Sequence, residues 1–99
     1  MKWKMPRTAS DRKLEDLVSV GPAIKGQFAL LGVRTVAELA RRDPEVLYRK
    51  LCRKIKAPVD ICVLDVYRAA IKQAQDPDLP AEQCLWWYWS RMRKAARQA

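Results

Sequence analysis

The chain contains no histidine. That removes the side chain that most often serves as general base and as metal ligand near neutral pH. Cysteine and the carboxylates remain as candidate ligands, but no CxxC or comparable spacing occurs, so neither a metal nor a cofactor is expected. Cys52, Cys62 and Cys84 are three in number and far apart. An odd, scattered set argues against a disulfide framework, and its apolar-patterned surroundings predict buried, reduced thiols. No serine or cysteine has a recognisable base beside it, so no catalytic residue is expected. Asp60 and Asp65 lie about 140° apart around a helix and do not converge. Asp76 and Asp78 flank a proline and read as turn residues.

Long apolar runs are missing too. The opening MKWKMPRTAS is basic without an apolar core, unlike a secretory signal. No segment approaches the roughly 18 apolar residues of a membrane span. The expectation is a cytoplasmic protein with no membrane partner. Strand signals are absent, because β-branched residues are scattered and do not alternate. Acidic charge is scarce: 11 Asp and Glu stand against 20 Lys and Arg, for a net charge of +9. Such an excess favours polyanionic partners, nucleic acid first among them, with DNA ahead of RNA; a basic but inert surface is the alternative.

What is present is helical. The 99 residues, 49% of them hydrophobic, suit one small domain with a core of modest size. Residues 1–9 read as a basic N-terminal arm, with Lys2, Lys4 and Arg7 around Trp3, and residues 10–99 as a single domain. Ser10 and Asp11 suit the start of a first short helix with Leu14, Leu17 and Val18 on its apolar face. A tight turn over Ser19-Val20-Gly21-Pro22 follows. Pro22 fits a first helical position, and Gly32 a left-handed cap from which Val33 folds back on Phe28. Ile24, Phe28 and Leu31 face the core. The free N–H groups at such a helix start, together with its dipole, can hold an anion. Gly21 allows the sharp turn and close approach, and Lys25 adds charge. A helical hairpin that only packs is the alternative.

Thr35 to Glu38 has capping-box spacing and opens a short helix. Asp43-Pro44-Glu45 opens the next, running to about Lys56. Leu47, Tyr48, Leu51, Cys52 and Ile55 form its apolar side. Arg49, Lys50, Arg53 and Lys54 form the other, either a phosphate-facing strip or an ordinary solvated face. Asp60 caps a helix to about Gln75 whose wide apolar arc predicts a central position. Asp65 and Arg68 are placed on its exposed edge, within reach of each other. After Asp76-Pro77-Asp78-Leu79-Pro80, a last helix runs from about Ala81. Leu85, Trp86, Trp89, Met92 and Ala96 are expected to pack inward. Trp87, Arg91 and Lys94 share another face, with Tyr88, Arg93 and Arg97 nearby.

The turn with Gly32-Val33 resembles the helix-hairpin-helix motif, although that motif has glycine where Ser19 stands and a small residue where Lys25 stands. Thr35-Val36-Ala37-Glu38-Leu39-Ala40, Asp43-Pro44-Glu45-Val46-Leu47-Tyr48, Asp60-Ile61-Cys62-Val63-Leu64 and Leu85-Trp86-Trp87-Tyr88-Trp89 resemble successive blocks of the bacterial pathogenicity-locus or mitomycin-resistance-like family, over roughly residues 12–90. The resemblance implies an all-α, compact five- to six-helix domain built around a helix-hairpin-helix motif. It further implies kinship with paired modules such as the C-terminal half of competence-regulator-like proteins, and DNA binding by analogy.

The expected function is DNA binding without sequence preference. The backbone at Ser19, Val20, Gly21, Ala23 and Ile24 would hold one phosphate, flanked by Lys25 and Arg34. Neighbouring phosphates would meet cations among Arg41, Arg42, Arg49, Lys50, Arg53 and Lys54. The alternative is a protein-interaction module using Trp87, Tyr88, Arg91 and Lys94, residues that also suit base stacking. A monomer or weak dimer is expected.

Overall fold

A wide apolar arc on one helix organises the molecule. The computed structural model describes residues 12–98. Its central helix, α4 (Cys62–Gln75), buries Leu64, Tyr67, Ala69, Ala70, Ile71 and Ala74. Asp60 starts it, since its carboxylate accepts the Cys62 N–H at 2.9 Å and its carbonyl accepts the Val63 N–H at 2.9 Å. That bonding to the charged form, led by the Cys62 amide, holds the Asp60 carboxyl below its usual range. Packed against α4 are α2 (Val36–Ala40), α3 (Pro44–Ile55) and α5 (Trp86–Gln98), the last preceded by a 3-10 turn at Ala81–Cys84. A further 3-10 turn, Leu14–Asp16, and α1 (Pro22–Leu30) complete the described chain. The domain is all-α, with five helices and no strand among the described residues.

One core joins these elements. Leu14, Leu17, Val20, Phe28, Leu31, Val33, Val36, Leu39, Leu47 and Leu51 close over the face of α4 carrying Tyr67, Ala70, Ile71 and Ala74. Each large side chain so buried contributes roughly 1.5–3 kcal/mol. The Phe28 and Tyr67 rings meet at a tilt of 45°, with 5.1 Å between centroids. The Tyr67 hydroxyl donates to Gln27 Oε1 at 2.7 Å, which meets its hydrogen-bonding need, while burial pushes its pKa upward.

The helix ends follow local rules. Thr35 Oγ1 accepts the Glu38 N–H at 3.0 Å, and Asp43 Oδ1 accepts those of Glu45 and Val46 at 2.9 and 3.1 Å. Glu38 reaches back to the Arg34 N–H, one residue before the expected capping-box partner. Gly32, at φ 84°, closes α1: its N–H bonds to the Ala29 carbonyl and the Val33 N–H bonds to that of Phe28.

Several expectations are corrected. The expected first helix is, among the described residues, only a 3-10 turn at Leu14–Asp16. The Ser10 and Asp11 start and the arm at residues 1–9 lie outside the described residues. The last helix starts at Trp86, because Leu85 is extended after the 3-10 turn. Ile55, Trp86 and Met92 are exposed, at 46%, 38% and 52%, as is Ala96, so the inward face of α5 is narrower than its pattern suggested. All three thiols are half-buried rather than buried, and partial burial still pushes those of Cys62 and Cys84 upward.

Asp65 and Arg68 do not pair. Asp65 is fully buried and receives Arg93 of α5 in a two-pronged contact, Nε to Oδ1 at 3.2 Å and a terminal guanidinium nitrogen to Oδ2 at 3.0 Å. This hydrogen bonding raises the Arg93 pKa further, and Arg93, expected near the Trp87 face, is committed to Asp65 of α4 instead. Arg68 instead reaches Glu45 of α3 at 2.9 Å.

Candidate nucleic-acid interface

The turn from Val18 to Lys25 is held from behind by a buried glutamine. The Gln73 side chain accepts the Val18 N–H at 2.9 Å and donates to the Val18 carbonyl at 2.8 Å, meeting both backbone groups as a neighbouring strand would. The same amide nitrogen lies 3.3 Å from the Ala69 carbonyl and 3.4 Å from that of Cys84. Arg12 bonds the Gln73 and Ala74 carbonyls at 2.8 and 3.3 Å, placing a cation on the negative end of α4.

Ser19 takes the left-handed conformation at φ 75°, with its hydroxyl 3.4 Å from the Cys84 carbonyl. For an L-residue this conformation costs roughly 1–2 kcal/mol, partly offset against the 0.5–1 kcal/mol entropic cost of glycine. Ser19→Gly is therefore expected to raise stability by up to about 1 kcal/mol, read by urea unfolding. A loss of more than that would mean the long hydroxyl bond outweighs the strain.

Gly21 is extended, at φ −90°, and an added Cβ would meet nothing within 4 Å. The expected conformational need for glycine is thus absent in the fold itself. α1 begins with no side-chain cap. Among the described residues, nothing accepts the N–H groups of Gly21, Ala23 and Ile24, and Gly21, Pro22, Ala23 and Lys25 are exposed. Val20 is buried at 5% and its N–H already bonds the Leu17 carbonyl at 3.2 Å, so, against expectation, neither its side chain nor its amide is open to a ligand. Lys25 is paired with Glu15 at 3.1 Å, which offsets the charge expected there. The Glu15 carboxyl sits below its ordinary range, first through its own backbone N–H and then through Lys25.

The other expected cations belong to separate elements. Arg34 is exposed before α2, and Arg49, Lys50, Arg53 and Lys54 are exposed on α3, free of salt bridges among the described residues. α1 and α3 do not pack extensively against each other. On α5, Trp87 is 42% exposed and carries the Arg91 guanidinium 4.7 Å over its ring, while Lys94 is exposed. Tyr88 is half-buried and meets Trp89 edge-on at 5.1 Å. Trp89 is half-buried and anchored by its N–H to the Gln83 carbonyl at 2.7 Å. No cluster of three potential metal ligands exists among the described residues, and no helix among them is long and apolar enough to cross a membrane.

The sequence did not single out Gln73, Arg12 or Glu15. Gln73 was legible only as a polar interruption of the arc of α4, and its partners outside that helix lie 55 and 11 residues away.

Fold and site together define a small all-helical domain with a cationic excess and an uncovered helix start. The chain belongs to the pathogenicity-locus (Cdd1) family, which residues 7–95 match. It is 35% identical over 88 residues to the mitomycin resistance protein McrB of Streptomyces lavendulae, covering 88% of this chain and 80% of that protein. No solved structure matches the chain significantly.

Proposed function

We propose that the domain binds DNA through its phosphate backbone, without sequence preference, using a helix-hairpin-helix turn at Ser19–Lys25. The observation that carries this reading is the start of α1: the Ala23 and Ile24 N–H groups have no acceptor among the described residues, in a turn whose Gly21 is exposed and has no fold-based need to be glycine. Paired N–H groups at the positive end of a nine-residue helix suit one phosphate. Arg34 and the α3 cations would meet neighbouring phosphates. The role is binding rather than catalysis, exercised as a monomer or weak dimer in the cytoplasm.

The test is fluorescence anisotropy with a labelled duplex across a salt series. Binding is expected to weaken with a log–log slope of about −0.9 per phosphate neutralised. In Gly21→Ala, the added Cβ touches no protein atom within 4 Å and fills open space at the exposed start of α1, where the phosphate would approach. Affinity is expected to fall about tenfold while stability stays within about 1 kcal/mol of the parent. Glu15→Gln releases Lys25 and is expected to tighten binding by roughly twofold to fivefold. Unchanged affinity in Gly21→Ala would remove the turn from the interface.

A second reading rests on Trp86 and Trp87, both exposed on the first turn of α5. Exposed tryptophan is typical of protein-contact hot spots. If Trp87→Ala leaves single- and double-stranded DNA binding unchanged, that face is free for a protein partner.

A further inference from the structure

A cleft of about 460 Å³ lies where the α2–α3 junction meets α4. We propose that it binds a nucleoside phosphate, a site separate from the turn at the start of α1. The cleft falls within the roughly 300–1,000 Å³ typical of small-ligand sites. Its wall is divided by chemistry. Trp89, Pro44 and Ile71 give an apolar part with one aromatic plane, and Arg41, Arg42 and Lys72 give a cationic part.

The state of each charged group decides what ligand fits. Arg68 also lines the cleft but is already paired with Glu45. Asp43, the one acid in the wall, has its Oδ1 committed to two amides at the start of α3. Arg41, Arg42 and Lys72 have no acidic partner among the described residues. Three uncommitted cations exceed what a single carboxylate would balance, and they suit the dianion of a phosphate monoester, with arginine well shaped for its oxygens. Trp89 cannot swing freely, because its N–H is fixed to the Gln83 carbonyl and Tyr88 lies against it edge-on. A fixed indole beside proline and isoleucine favours a flat ring, as a nucleobase provides. The ligand can be a free nucleotide or the phosphorylated end of a strand, since both present a base and a terminal phosphate.

Calorimetric titration of the whole chain distinguishes these cases. The probes are deoxyadenosine monophosphate, inorganic phosphate, and a short single strand carrying either a 5′-phosphate or a 5′-hydroxyl. The nucleotide is expected to bind at least tenfold more tightly than inorganic phosphate. Arg41→Glu with Lys72→Glu, both at exposed positions, is expected to weaken it at least tenfold with the helical circular dichroism unchanged. If the 5′-phosphate tightens strand binding fivefold or more, the source is a strand end; if it has no effect while the nucleotide binds, the source is a free nucleotide. Absence of nucleotide binding together with no 5′-phosphate effect overturns the proposal, as does equal binding of nucleotide and inorganic phosphate. A duplex closed by loops at both ends offers no terminal phosphate. If it still binds and still responds to Gly21→Ala while the nucleotide fails, only the cleft is refuted and the turn stands.

Discussion

Asp65→Ala is expected to destabilise the domain by about 3–5 kcal/mol, with a fall in melting temperature on the order of 20 °C. Asp65 is fully buried, and the Arg93 side chain retains 12% exposure. With the carboxylate gone, the guanidinium keeps only a 3.5 Å approach to Ser90 Oγ. The cost comes from stranding a half-buried cation rather than from the strength of the pair. Replacing both partners, Asp65→Leu with Arg93→Met, is therefore expected to recover most of the loss, because apolar packing avoids the desolvation that offsets much of the attraction. Urea unfolding of the two variants checks this. A single variant within 1 kcal/mol of the parent, or a double variant as unstable as the single, would show that the pair does not anchor α5.

Phe28→Ala is expected to cost a similar 3–5 kcal/mol, in a different place. Phe28 is the one fully buried residue of α1, and it rests on Tyr67 of α4. Ile24 and Gln27 are only half-buried, and the rest of α1 faces solvent. Loss of the ring frees α1 from its seat, so its amides are expected to lose hydrogen-exchange protection before those of α3 and α4. Duplex affinity should fall with it, since the N–H groups at Ala23 and Ile24 are useful only while the helix is docked. Equal loss of protection in α1 and α4 would mean that Phe28 supports the whole core instead.

Where the sequence was legible, the signal lay within one turn of the residue concerned. Asp43-Pro44, Thr35 with Glu38, and Gly32 with Val33 each define a helix end from neighbours in the chain, and each end stands where that chemistry puts it. The arc of α4 marked its central position for the same reason. Asp65 was misplaced because its partner lies 28 residues away, on a helix whose rotation about its own axis no local pattern sets. Trp86 and Met92 were misplaced by that same rotation. At the turn, the open amides followed from Gly21-Pro22. The left-handed Ser19 and the Lys25–Glu15 pair did not, since both depend on how the preceding 3-10 turn meets α1.

The amide of Gln73 makes unequal demands on the two positions it joins. Val18 satisfies it through main-chain atoms alone, and the residue is 46% exposed. Position 18 is thus open to almost any residue except proline, which lacks the N–H. Position 73 must supply a donor and an acceptor on one flat group at that reach, and glutamine alone among the twenty residues does so. In a saturation library selected for folding, residue 18 should drift freely while residue 73 stays fixed.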